Sequence, residues 1–99
     1  MYLENYIDAI QLLCRQNKVK SLYAFGSVLT ARFSKKSDID FIVDIDSVEP
    51  YDYADNYFNL KFALQDVLKR KIDLLEEKSI RNQYIRENIE RSKKLIYAK

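Results

Sequence analysis

Apolar side chains recur at Leu3, Tyr6, Ile7, Ile10, Leu13 and Cys14. That spacing marks one side of a helix and predicts an amphipathic segment over about residues 2–17. The run from Val19 to Phe25 reads as a buried strand, and Gly26 ends it. Residues 27–32 are expected to form a short helix and residues 33–37 a loop. Residues 38–45 are rich in β-branched and aromatic side chains and predict a second strand. Pro50 marks a turn or a helix start. Tyr57, Leu60, Leu64, Val67 and Leu68 predict a long amphipathic helix over about 52–69, and residues 71–75 a third short strand. Residues 80–93 read as a helix with Ile85, Ile89 and Ile96 aligned, and Leu95 to Tyr97 either end it or form a small strand. Alternating helices and strands predict an α/β (α+β) fold, with a small mixed sheet of three to four strands packed with helices.

Composition narrows the chemistry. The 99 residues, 47% hydrophobic and 13% aromatic, suit one small globular domain over 1–99. A net charge of +2 argues for neither nucleic acid nor a membrane surface as a partner. Residues 71–99 are mildly basic, with eight basic and five acidic side chains. The chain has no histidine, which excludes Ser-His-Asp triads, Cys-His pairs and histidine-ligated zinc. Its one cysteine, Cys14, falls on the apolar stripe and reads as a core thiol. It suits a reducing compartment. No apolar run reaches membrane-spanning length, so a cytoplasmic location is expected.

Two short motifs carry candidate chemistry. Gly26-Ser27 sits at a strand-to-helix turn. A glycine there lets a phosphate approach the backbone, free N–H groups can receive it, and a serine hydroxyl can donate to it. The competing reading is a tight turn with a serine cap. Asp38 and Asp40 lie two apart on the predicted strand, so their side chains share a face with Cα atoms roughly 6.6 Å apart. Two carboxylates near contact repel by about 4 kcal/mol at an effective dielectric near 20. A divalent cation converts that repulsion into binding, and Mg²⁺ keeps water and substrate phosphates as its remaining ligands. For an isolated pair of aspartates, a solvated strand start would be the better reading.

A third carboxylate is offered by Asp73, between Ile72 and Leu74 on the third predicted strand. Its apolar neighbours point to the core and Asp73 to the opposite face. A salt bridge with Lys69 or Lys71 is the alternative. Asp44 and Asp46 continue the alternation from Asp40 but read as solvated loop residues; Asp66 reads as helix surface, and Lys35 and Lys36 as a charged loop.

The run Phe25-Gly26-Ser27, together with Ser37-Asp38-Ile39-Asp40-Phe41-Ile42-Val43, resembles the minimal nucleotidyltransferase (MNT) domains of the DNA polymerase β-like superfamily. Lys71-Ile72-Asp73-Leu74 and the segment from Ile85 to Tyr97 extend the resemblance over nearly the whole chain. The resemblance implies a polymerase β-like nucleotidyltransferase fold. It also implies two Mg²⁺ ions held by Asp38 and Asp40, with Asp73 completing the site, and nucleotide phosphates at Gly26 and Ser27. Many members carry arginine three residues after the serine and glycine directly after that. Here those positions are Thr30 and Ala31, leaving Arg32 as the substitute. The family further implies an antitoxin that transfers AMP from ATP to a tyrosine of a HEPN ribonuclease toxin. The alternative is an antitoxin that binds and masks its toxin with little catalysis. Neither reading requires direct contact with nucleic acid or membrane, and homo-oligomerisation stays open.

Overall fold

The computed structural model describes residues 1–99. A 3₁₀ turn over Tyr2–Tyr6 leads into α1 (Ile7–Gln16), whose Ile10 and Cys14 lie four apart and face the core. The helix stops at Asn17, whose backbone and side-chain N–H groups both donate to the Leu13 carbonyl. Strands β1 (Val19–Phe25) and β2 (Ile39–Ile45) follow, joined through a 3₁₀ turn at Gly26–Leu29 and a loop. Helix α2 (Pro50–Leu68) begins with Pro50 in its first turn, and the Glu49 carboxylate accepts from the N–H groups of Tyr51 and Asp52. It ends at Lys69, in the left-handed region with φ 55°. Then come β3 (Ile72–Glu76), a 3₁₀ turn at Glu77–Ser79, α3 (Gln83–Ser92) and β4 (Lys94–Ala98).

The sheet order is β3-β2-β1-β4. β1 runs antiparallel to β2 and β4, while β2 and β3 are parallel, connected by α2. The expected small mixed sheet packed with helices is therefore present, with four strands. Strand alternation separates two faces. Leu22, Ala24, Ile39, Phe41, Val43, Ile72 and Leu74 bury on one face, in a cluster with Ile10, Cys14, Leu60, Leu64 and Leu68. Both long helices thus cover the same side. The other face presents Phe25, Asp40, Ile42, Asp73 and Leu75. α3 borders it beside Phe25 and Leu75, and Ile42 and Ile89 bury outside the main cluster.

Several sequence expectations shift. The second strand begins at Ile39, so Asp38 precedes it instead of lying on it. Residues 2–6 form a 3₁₀ turn, and the expected helix at 27–32 shrinks to a 3₁₀ turn over Gly26–Leu29. Ile96 does not share a helix with Ile85 and Ile89. The small strand offered as the alternative for Leu95 to Tyr97 is what forms, as part of β4; Ile96 joins the main core there, whereas Ile89 packs on the far face. A helical stripe cannot be told from a helix-to-strand junction when the junction residue, here Lys93, happens to keep the spacing.

Candidate active site

Strand pairing assembles the carboxylates. Asp40 opposes Phe25 across β1 and β2, and it opposes Asp73 across the parallel β2–β3 pair. Asp40 and Asp73 therefore sit side by side on the face away from the main core. Ile39 and Ile72, both buried, anchor their strands beneath them. Asp38, one residue before β2, adds a third carboxylate, and its Oδ2 lies 3.9 Å from Lys71 Nζ.

The proximity shows in the acidity of Asp40. Burial, then the charge of Asp73 and a hydrogen bond shared with it, then the charge of Asp38, push its carboxyl up to about 6. Crowded carboxylates of this kind favour a neutralising cation or a shared proton. No three acidic side chains already converge as a closed metal cage. The all-oxygen set nonetheless suits Mg²⁺, which takes one or two carboxylates and completes its shell with water and phosphate.

Gly26 is required here for two separate reasons. Its φ is +78°, a region that side chains other than glycine rarely adopt. A Cβ at this position would also lie 2.6 Å from Asp40 Oδ2. The glycine thus makes room for the aspartate as well as for the turn. Beside it, Gly26, Ser27, Leu29, Thr30, Arg32 and Ser92 line a cavity of about 470 Å³. Thr30 donates from both N–H and Oγ1 to the Ser27 carbonyl, each at 2.9 Å, and its Oγ1 accepts from Arg32 N–H at 3.2 Å. Thr30 therefore closes the turn, and Arg32 is the one cationic residue lining the cavity.

Arg70 escaped the sequence reading. Its guanidinium stacks 4.3 Å from the Phe33 ring centroid and 5.3 Å from that of Tyr2. It donates to the carbonyl of Ser37 at 2.8 Å and also to that of Ser34. Tyr2 in turn donates from its hydroxyl to the Leu68 carbonyl at 2.8 Å. Arg70 thus fixes the loop that delivers Asp38. No motif surrounds it in the sequence; its role depends on the chain's start packing against the end of α2.

The remaining candidates fall elsewhere. Lys69 pairs with Asp66 at 3.6 Å and Lys71 with Asp38, so neither is the expected salt-bridge partner of Asp73. Asp44 is a half-buried residue of β2, 4.0 Å from Lys78, instead of a loop residue. Asp46 lies past the strand and bonds Lys99 at 2.6 Å. Lys35 and Lys36 are exposed. Cys14 is fully buried, and burial pushes its thiol up to about 12, which makes it inert.

The family model for polymerase beta nucleotidyltransferases matches residues 8–99. The chain belongs to that family. Two proteins of Methanocaldococcus jannaschii that bear the provisional name protein adenylyltransferase are similar to this nucleotidyltransferase. One is 37% and the other 39% identical over 87 residues, covering 88% of this chain and 84% of theirs. Among solved structures, a minimal nucleotidyltransferase superposes with a TM-score of 0.72 at 26% identity, over 93% of this chain and 90% of its own. A toxin–antitoxin complex with AMP-PNP gives 0.71 at 23% identity, over 95% and 74%. An MNT antitoxin bound to a tri-AMPylated HEPN toxin of Shewanella oneidensis gives 0.65 at 22% identity, over 100% and 74%. The last two likenesses speak for the fold. No helix of the nucleotidyltransferase is long and apolar enough to cross a membrane.

Proposed function

We propose that this nucleotidyltransferase is the antitoxin of a HEPN–MNT pair and transfers AMP from ATP to a tyrosine of its toxin in the cytoplasm. The observation that carries the reading is the contact between Asp40 and Asp73 beside the Gly26-Ser27 cavity, with Asp38 adjoining. Asp38 and Asp40 would hold two Mg²⁺ ions, and Asp73 would complete the set. Bound there, the ions would neutralise charge developing on the phosphoryl oxygens. Gly26 and Ser27 would receive the triphosphate, with Arg32 as its cationic partner. Asp73, the most exposed-facing of the strand carboxylates on β3, orients the attacking hydroxyl. The hydroxyl proton passes to the Asp73 carboxylate as the oxygen bonds to the α-phosphorus, and the bond to pyrophosphate breaks. The relatives named for protein adenylyltransfer, and the neighbour solved on an AMPylated HEPN toxin, support the acceptor class.

ATP labelled at the α-phosphate, Mg²⁺ and the protein encoded beside this one provide the test. The partner should acquire label, and Asp38→Asn with Asp40→Asn should abolish it. Labelling that survives the double substitution would overturn the proposal.

A second reading, masking of the toxin by binding alone, draws on Thr30, whose hydroxyl is spent within the turn where family members supply arginine. It requires the double variant to protect cells as well as the wild type does. Loss of protection with binding retained would rule it out.

A further inference from the structure

The phosphate cavity does not end at Ser92. A second cavity of about 280 Å³ shares Gly26 and Ser92 with it and runs between α3 and the sheet. Its walls are Phe25, Leu75, Ile85 and Ile89, with Asn88 the one side-chain amide among them. The two cavities make one trough, hydroxyl- and guanidinium-bearing at one end and apolar at the other. That gradient matches a nucleoside triphosphate, with its charged tail and flat apolar base.

We propose that the α3 end of this trough binds the base of the donor nucleotide, and that Asn88 reads the base edge. The inference rests on the nucleotidyltransferase reading and adds a base subsite to it. Leu75 and Ile85 are 41% and 50% exposed, a large apolar exposure that the fold does not use and that a stacked base would cover. Asn88 is exposed on α3, and Ser92 Oγ donates to its backbone carbonyl at 3.0 Å, leaving the side-chain amide free. An amide presents one donor and one acceptor side by side, which complements the N1 acceptor and N6 donor of adenine. A neighbouring cavity of about 330 Å³ lies across the same Leu75 and Ile85, but it shares no residue with the phosphate cavity. Only the first is continuous with the site of the triphosphate.

Calorimetric titrations with ATP and with tripolyphosphate, both with Mg²⁺, separate the two ends of the trough. Ile85→Gln and Asn88→Ala alter surface positions, and circular dichroism verifies their folding. Each should weaken ATP about tenfold and leave tripolyphosphate within about twofold, the scale of a lost pocket contact or base hydrogen bond. Asn88→Asp should shift the ATP-to-GTP preference about tenfold toward GTP, because a carboxylate accepts from two N–H groups of guanine and opposes the lone pair of adenine N1. Unchanged ATP affinity in both Ile85→Gln and Asn88→Ala would overturn the base subsite, as would equal losses for ATP and tripolyphosphate. Wild-type protein that binds neither probe would instead overturn the nucleotidyltransferase reading itself.

Discussion

Replacing Asp40 with asparagine should stabilise the metal-free domain while removing its activity. The folded Asp40 carboxyl holds its proton to about 6, against an ordinary value of 3.8, through burial and its neighbours Asp73 and Asp38. A difference of roughly two units corresponds to at most about 3 kcal/mol. Asp40 is only partly buried, and solvent screening reduces the figure to about 1 kcal/mol. Because the folded value is raised, the penalty is absent below about pH 4, grows as pH rises through 4 to 6, and is complete above that. Asparagine keeps the shape, carries no charge and can donate to Asp73. Thermal melts in EDTA at pH 8 should therefore show Asp40→Asn about 4–8 °C above wild type, the shift that 1 kcal/mol produces in a domain of this size. At pH 4 the two proteins should melt together. Mg²⁺ should raise the melting temperature of wild type and leave the variant nearly unmoved. A variant that melts at or below wild type at pH 8 would refute the claim that these carboxylates repel.

Three further outcomes follow from the same geometry. Gly26→Ala places a methyl group 2.6 Å from Asp40 Oδ2 at a φ of +78°, and should cost about 1–3 kcal/mol in denaturant titrations together with nucleotide binding. Arg70→Met should cost about 1–2 kcal/mol and raise the Mg²⁺ concentration needed for half-maximal ATP binding, and Arg70→Lys should not restore it, since an ammonium lacks the planar fork that packs on Phe33 and Tyr2 while donating to two carbonyls. Cys14, with its thiol pushed up to about 12, should resist an aromatic disulfide reagent at pH 8 until denaturant unfolds the chain.

The elements were legible where local patterning decides them. Ile39 and Ile72 alternate with their aspartates, and that alternation correctly sends the isoleucines inward and Asp40 and Asp73 outward. What joins Asp40 to Asp73 is a parallel register across α2, a long-range pairing that neither segment encodes by itself. Asp38 lies just outside the strand because the pairing of β2 with β3 starts at Ile39, whose N–H bonds the Lys71 carbonyl at 3.0 Å, a partner invisible in sequence. The second role of Gly26 also depends on that assembly, since the atom it makes room for belongs to β2. Arg70 and Phe33 carry no local signal, because their stacking needs Tyr2 brought back from the chain's start. Chemistry set by one segment could be read from that segment; the joining of Asp73 to Asp38 and Asp40 was reached only through the family resemblance, and the contacts of Arg70 with Phe33 and Tyr2 not at all.

The most direct measurement of the central claim is intact-mass analysis of the neighbouring partner protein after incubation with this nucleotidyltransferase, ATP and Mg²⁺, with released pyrophosphate counted in parallel. One pyrophosphate per AMP added is expected, and neither product with Asp38→Asn and Asp40→Asn. A partner of unchanged mass that is still bound by the wild-type domain, or an adduct that persists in the double variant, would contradict it.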